Sequence, residues 1–83
     1  MIIPNTNPNL VVLYGIDGAD PMAPNFEKTT YSFPIIAWEV KEDANFVGGH
    51  PITIDGLPRN PCVYDRETKV RYRYENSMVM EIK

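Results

Sequence analysis

Cysteine is almost missing from this chain. Cys62 is the only one, so no internal disulfide can staple the fold. His50 is the only histidine, and one Cys with one His falls short of the four Cys or His ligands that a structural zinc site takes. Long apolar runs are missing too. The longest clean one covers residues 10–14, far below the ~20 residues of a membrane span. The first residues, Met1-Ile2-Ile3-Pro4-Asn5, carry neither a basic n-region nor a long apolar h-region, so no secretory signal is expected and the expected compartment is the cytoplasm. A surplus of charge is lacking as well: eight Lys plus Arg against eleven Asp plus Glu leave a net −3. That is an ordinary soluble balance, without the basic surface that bulk binding to nucleic acid or anionic membrane requires.

What the chain has in quantity is punctuation and β-forming residues. Eight prolines and five glycines in 83 residues leave few stretches where a long helix could run. The length sets one small domain, 1–83, which buries a modest core. With disulfide and zinc excluded, a homo-oligomer is the expected supplement to its stability.

Residues 10–14 (Leu-Val-Val-Leu-Tyr) are continuously apolar with β-branched Val11 and Val12, and read as a strand buried on both faces or against a partner, stopped by Gly15. Residues 16–30, with Gly18, Pro21 and Pro24 among Asp17, Asp20 and Asn25, form a long irregular loop in which Asn25 caps at most one helical turn, through Thr29. Residues 35–40 read as a second strand, with Pro34 as its first residue and Ile36, Trp38 and Val40 on one face. A turn follows at 41–45. Gly48-Gly49 before His50-Pro51 suggest a bulge or tight bend, residues 52–54 a short strand closed by Asp55-Gly56, and residues 57–61 a loop.

From Cys62 to Ile82, apolar and charged residues alternate in three period-two sets: Cys62 and Tyr64; Val70, Tyr72 and Tyr74; Met78, Met80 and Ile82. A three-residue loop at 66–68 would place Tyr64 opposite Val70 and Cys62 opposite Tyr72. A second loop at 75–77 would place Tyr72 opposite Met80 and Arg71 opposite Glu81. That register keeps every apolar residue on one face. The expected architecture is therefore all-β and mainly antiparallel, a small barrel or two-layer sandwich of five to six strands ending in a three-stranded meander.

The chemistry-bearing motifs are weak. Asp17-Gly18-Ala19-Asp20 lacks the spacing of a calcium loop and reads as a turn. Cys62 with His50 would make a nucleophile and base, but Cys62 falls on the predicted core face, where a buried thiol is the commoner outcome. No phosphate loop, nucleophile elbow or His-Glu metal helix is present, so neither catalysis nor a metal or cofactor is expected.

Two function classes remain. The first is a non-catalytic protein-interaction module (inhibitor, adaptor or assembly subunit), acting through the long loop or a sheet edge, with Met22, Phe26, Tyr31 and Phe33 as its aromatic contact surface. The second is a small β-barrel that binds single-stranded nucleic acid through Lys69, Arg71 and Arg73. It is disfavoured because Tyr72 and Tyr74 point away from that stripe.

Overall fold

The computed structural model describes residues 1–42, 47–59, 61–73 and 80–81. Among the described residues, eight short strands build two four-stranded antiparallel sheets and no closed barrel. The front sheet runs β3 (Thr30–Pro34), β2 (Leu10–Gly15), β6 (Cys62–Asp65), β7 (Val70–Arg73). The back sheet runs β1 (Ile2–Pro4), β4 (Ala37–Glu42), β5 (Val47–Ile52), β8 (Met80–Glu81). A single helical turn, α1 (Phe26–Thr29), precedes β3. It forms where the sequence predicts it, but without a side-chain cap: the Asn25 carbonyl, not its amide, accepts the Lys28 N–H.

The sandwich core joins the sheets through Val12 and Val63 from the front and Trp38 and Val40 from the back, with Ile35 between. Successive strand residues face opposite ways. Val11 and Leu13 accordingly pack with Cys62 and Tyr64 into a second cluster, on the outer side of the front sheet. The unbroken apolar run of β2 is thus explained, because that strand is covered on both faces.

Several expected details are overturned. The β6–β7 hairpin uses a four-residue connection, not three. Asp65 pairs with Val70, Tyr64 with Arg71, Val63 with Tyr72 and Cys62 with Arg73. The extra residue is absorbed by Lys69 in the left-handed region (φ 64), while the Asp65 carboxylate accepts the N–H groups of Glu67 and Thr68. The register therefore slips by one, and Arg71 and Arg73 join the face of Tyr64 and Cys62. The three-stranded meander is likewise replaced. Met80 and Glu81 pair with Gly49 and Gly48 of β5 in the back sheet, so Glu81 is not opposite Arg71. The turn expected at 75–77, with Tyr74 and Met78, and Ile82 lie outside the described residues, as does most of the turn expected at 41–45.

Gly48 and Gly49 make no bulge. They continue β5, opposite Lys41 and Val40, held by ladders on both sides. Pro51 pairs with Trp38. Residues 53–56 form a turn rather than a strand end, with Thr53 and Gly56 exchanging backbone hydrogen bonds of 2.9 Å. Pro34 closes β3 instead of opening β4. Between them the chain crosses from sheet to sheet. Asn5 holds the crossing by donating to the carbonyls of Ile35 (2.9 Å, side chain) and Ile36 (3.0 Å, backbone). Ile35 takes the core position and Ile36 is left outside the Trp38–Val40 face, 54 % exposed.

Candidate functional site

Two features are positioned by this fold: a strap over the outer side of the front sheet, and an aromatic edge at β3. The strap comprises residues 16–29. It leaves β2 at Gly15, where a Cβ would sit 1.7 Å from the Ala19 carbonyl oxygen. Asp17 (φ 53) and Gly18 (φ 81) turn it back, and the Asp20 carboxylate then accepts the Met22 N–H at 2.9 Å. This is the turn expected of Asp17-Gly18-Ala19-Asp20. Among the described residues, no three His, Cys, Asp or Glu side chains gather as metal ligands.

Phe26 reaches down from α1 onto the cluster of Val11, Leu13, Cys62 and Tyr64, its ring edge-on to Tyr64 at 5.3 Å. Arg71 lies over that ring, 4.0 Å from its centroid, and donates from Nη1 to the Pro21 and Ala23 carbonyls, each at 2.8 Å. Arg73 pairs with the Asp20 carboxylate. The Met22 N–H and then Arg73 hold that carboxyl below the usual aspartate range. Cys62 is buried with its thiol 3.6 Å from the Met22 sulfur, and burial pushes the thiol up, away from the reactive thiolate. His50 sits on β5 opposite Glu39, on the outer side of the back sheet, so the two layers of the sandwich separate it from Cys62. These two side chains are not brought together.

The aromatic surface expected from the sequence is divided. Met22 and Phe26 belong to the strap. Tyr31 and Phe33 project from the opposite side of the front sheet, where each joins Tyr14: Tyr14–Tyr31 stacked at 5.6 Å, Tyr14–Phe33 at 5.0 Å and Tyr31–Phe33 at 5.4 Å. Tyr31 is 48 % exposed. Sequence reasoning missed Tyr14 as a member of this ledge, because it belongs to β2 and meets β3 only through pairing. Of the three cations in the basic stripe, Arg71 and Arg73 are engaged by the strap, and Lys69 lies exposed in the turn.

The free edge of β3 has a definite polarity. Pro34 cannot donate, yet it pairs with Val11, so that position is a non-hydrogen-bonded one in the antiparallel ladder. By alternation Ser32 occupies the same kind of position, and its backbone N–H and C=O point away from β2, to the open side, whereas the Thr30 N–H closes the α1 turn. Among the described residues no strand pairs there. Nor, among them, is any helix long and apolar enough to cross a membrane. No protein-family model, curated protein or solved structure matches the chain.

Proposed function

We propose that this protein is a non-catalytic interaction module that receives an extended segment of a protein partner along β3. The observation that carries the reading is the open edge of Thr30–Pro34, five residues without a charged side chain beside the Tyr14, Tyr31 and Phe33 ledge. Edge strands are ordinarily blunted by charges, prolines or bulges; β3 carries Pro34 at its end but no charge, which leaves Ser32 as a point for strand addition. Backbone bonds to the Ser32 N–H and C=O would supply affinity, and the ledge would receive alternate side chains of the added strand. The long loop lays Phe26 on Tyr64 and the Met22 sulfur against Cys62, which takes part of its apolar surface away from a partner. The nucleic-acid reading loses support for a similar reason, since two of its three cations hold the strap. A photo-crosslinking phenylalanine analogue replacing Tyr31, in the cells that make the protein, tests the reading against the same analogue at Glu67 in the β6–β7 turn. Polypeptide adducts specific to position 31 are expected; no adducts, or equal adducts at both positions, would refute it.

A further inference from the structure

We infer that Met22 is a redox-sensitive cover over Cys62: oxidation of its thioether to the sulfoxide by a peroxide unseats it from the outer cluster and makes the buried thiol reachable. The inference concerns the strap and stands apart from the reading of β3. Two side chains of different chemistry fasten the strap to the outer side of the front sheet. Phe26 is an inert hydrocarbon ring, whereas Met22 carries a sulfur that peroxides attack. Two sulfurs stand one behind the other here. Met22 is 37 % exposed, and the thiol of Cys62, itself only 2 % exposed, donates to the Met22 sulfur at 3.6 Å. Oxidant arriving from solvent therefore meets Met22 first. Met1 is more exposed, but its carbonyl binds the Val40 N–H in the back sheet, away from the strap.

The backbone around Met22 is clamped. Arg71 donates to the carbonyls of Pro21 and Ala23, the residues on either side, and the Asp20 carboxylate accepts the Met22 N–H. These bonds set the sulfur on Cys62, so the cover depends on the chemistry of that one atom. In the oxidation, a lone pair of the Met22 sulfur attacks one oxygen of hydrogen peroxide. The S–O bond forms as the O–O bond breaks, the sulfur gives up two electrons, and the second oxygen leaves as water with the proton of the first. The transferred oxygen finds no space between two sulfurs already in contact. On the far side it makes the sulfur the positive end of an S–O dipole, which no longer accepts the Cys62 S–H. Both positions end the contact and put a polar group where an apolar one sat. In the covered state burial pushes the thiol up, against the pull of Arg73 and Arg71. Uncovering removes the burial and leaves those two cations beside the sulfur, where they favour the reactive thiolate.

Limited hydrogen peroxide on the full chain, its removal by catalase, and timed labelling with iodoacetamide test the inference, with peptide mass spectrometry reading both positions. Once Met22 carries the added oxygen, Cys62 should label about tenfold faster than in untreated protein, the change that follows when local opening becomes ~1.4 kcal/mol easier. Reduction by methionine sulfoxide reductases should restore the slow rate, which needs no substitution and so no variant that must fold. Met22→Leu keeps the apolar bulk and removes the sulfur, and should label slowly before and after peroxide. Three results overturn the proposal. One is oxidised Met22 with Cys62 labelling unchanged. Another is a Met22→Leu protein whose labelling accelerates as the wild type's does. The third is complete oxidation of Met1 while Met22 stays a thioether.

Discussion

Arg71 should hold the strap to the front sheet, and its removal should be far more damaging than a surface arginine would suggest. Its guanidinium feeds two strap carbonyls from one nitrogen and covers the Phe26 ring, and both hydrogen bonds are partly buried. A hydrogen bond from a charged donor contributes ~1.5–3 kcal/mol, and because one Nη1 serves both acceptors the pair counts as little more than one such bond. The cation–ring contact adds about 0.5–1 kcal/mol at a partly exposed site. Arg71→Ala should therefore cost about 2–3 kcal/mol. A chain of this length has only ~4–12 kcal/mol in hand, and each kilocalorie moves Tm by about 4–8 °C. The melting temperature should drop by ~10–20 °C, read by circular dichroism at neutral pH, with faster proteolytic cleavage within residues 16–29. Arg66→Ala is the matched control. That side chain also donates to a carbonyl, of Pro8 at 2.8 Å, but in the open, and its loss should cost under about 1 kcal/mol. A cycle with Phe26→Leu should show coupling between positions 26 and 71. Equal melting temperatures for Arg71→Ala and Arg66→Ala, with unchanged cleavage of the strap, would refute the reasoning.

The same strap makes two further predictions. The Asp20 carboxyl, held low by the Met22 N–H and by Arg73, should titrate below 3.8 when followed by its carbonyl NMR signal. A carboxylate with a depressed folded pKa stabilises above the unfolded value, and that contribution fades as pH falls through the folded one. The stability difference between wild type and Asp20→Asn should thus shrink on acidification through that window; a midpoint at or above 3.8 would contradict it. Gly15→Ala and Gly18→Ala should rank in an order that propensity alone does not give. The first drives a Cβ into the Ala19 backbone and should cost about 1–3 kcal/mol by urea titration. Gly18 has open space around it and suffers only its positive φ, about 1 kcal/mol. A Gly15→Ala protein as stable as wild type would show that the strap leaves β2 along another path.

The strand residues legible in the sequence are those whose environment is set by their neighbours in the chain. Residues 10–14 announce a covered strand because five consecutive apolar residues, with two valines and a tyrosine among them and Gly15 after them, suit a strand with apolar neighbours on both faces. Trp38 and Val40 alternate into the core as period two requires. The hairpin at 66–69 was legible as a hairpin but not in register. The alternation favours the register that keeps Tyr and Cys apart from Arg, and it assumes that Arg on the Tyr64 face would be stranded. The strap removes that penalty, because Pro21 and Ala23 carbonyls and the Asp20 carboxylate receive the guanidinium groups. Partners roughly fifty residues away reversed the arithmetic. Strand β3 was missed for a related reason: Tyr31 and Phe33 have a clear period but sit beside prolines, and only pairing with Val12 and Tyr14 makes them a strand.

By itself, then, the sequence determined an antiparallel β domain, without internal disulfide, with an apolar strand over residues 10–14 and a loop of about fifteen residues after it. Those conclusions rest on local covalent facts, such as residue periodicity, proline and glycine, and the cysteine count. Which residues share a face, which edge stays open and which cations stay free were decided by the tertiary structure. Each depends on pairing between segments distant in the chain, where a shift of one residue exchanges the two faces of a strand.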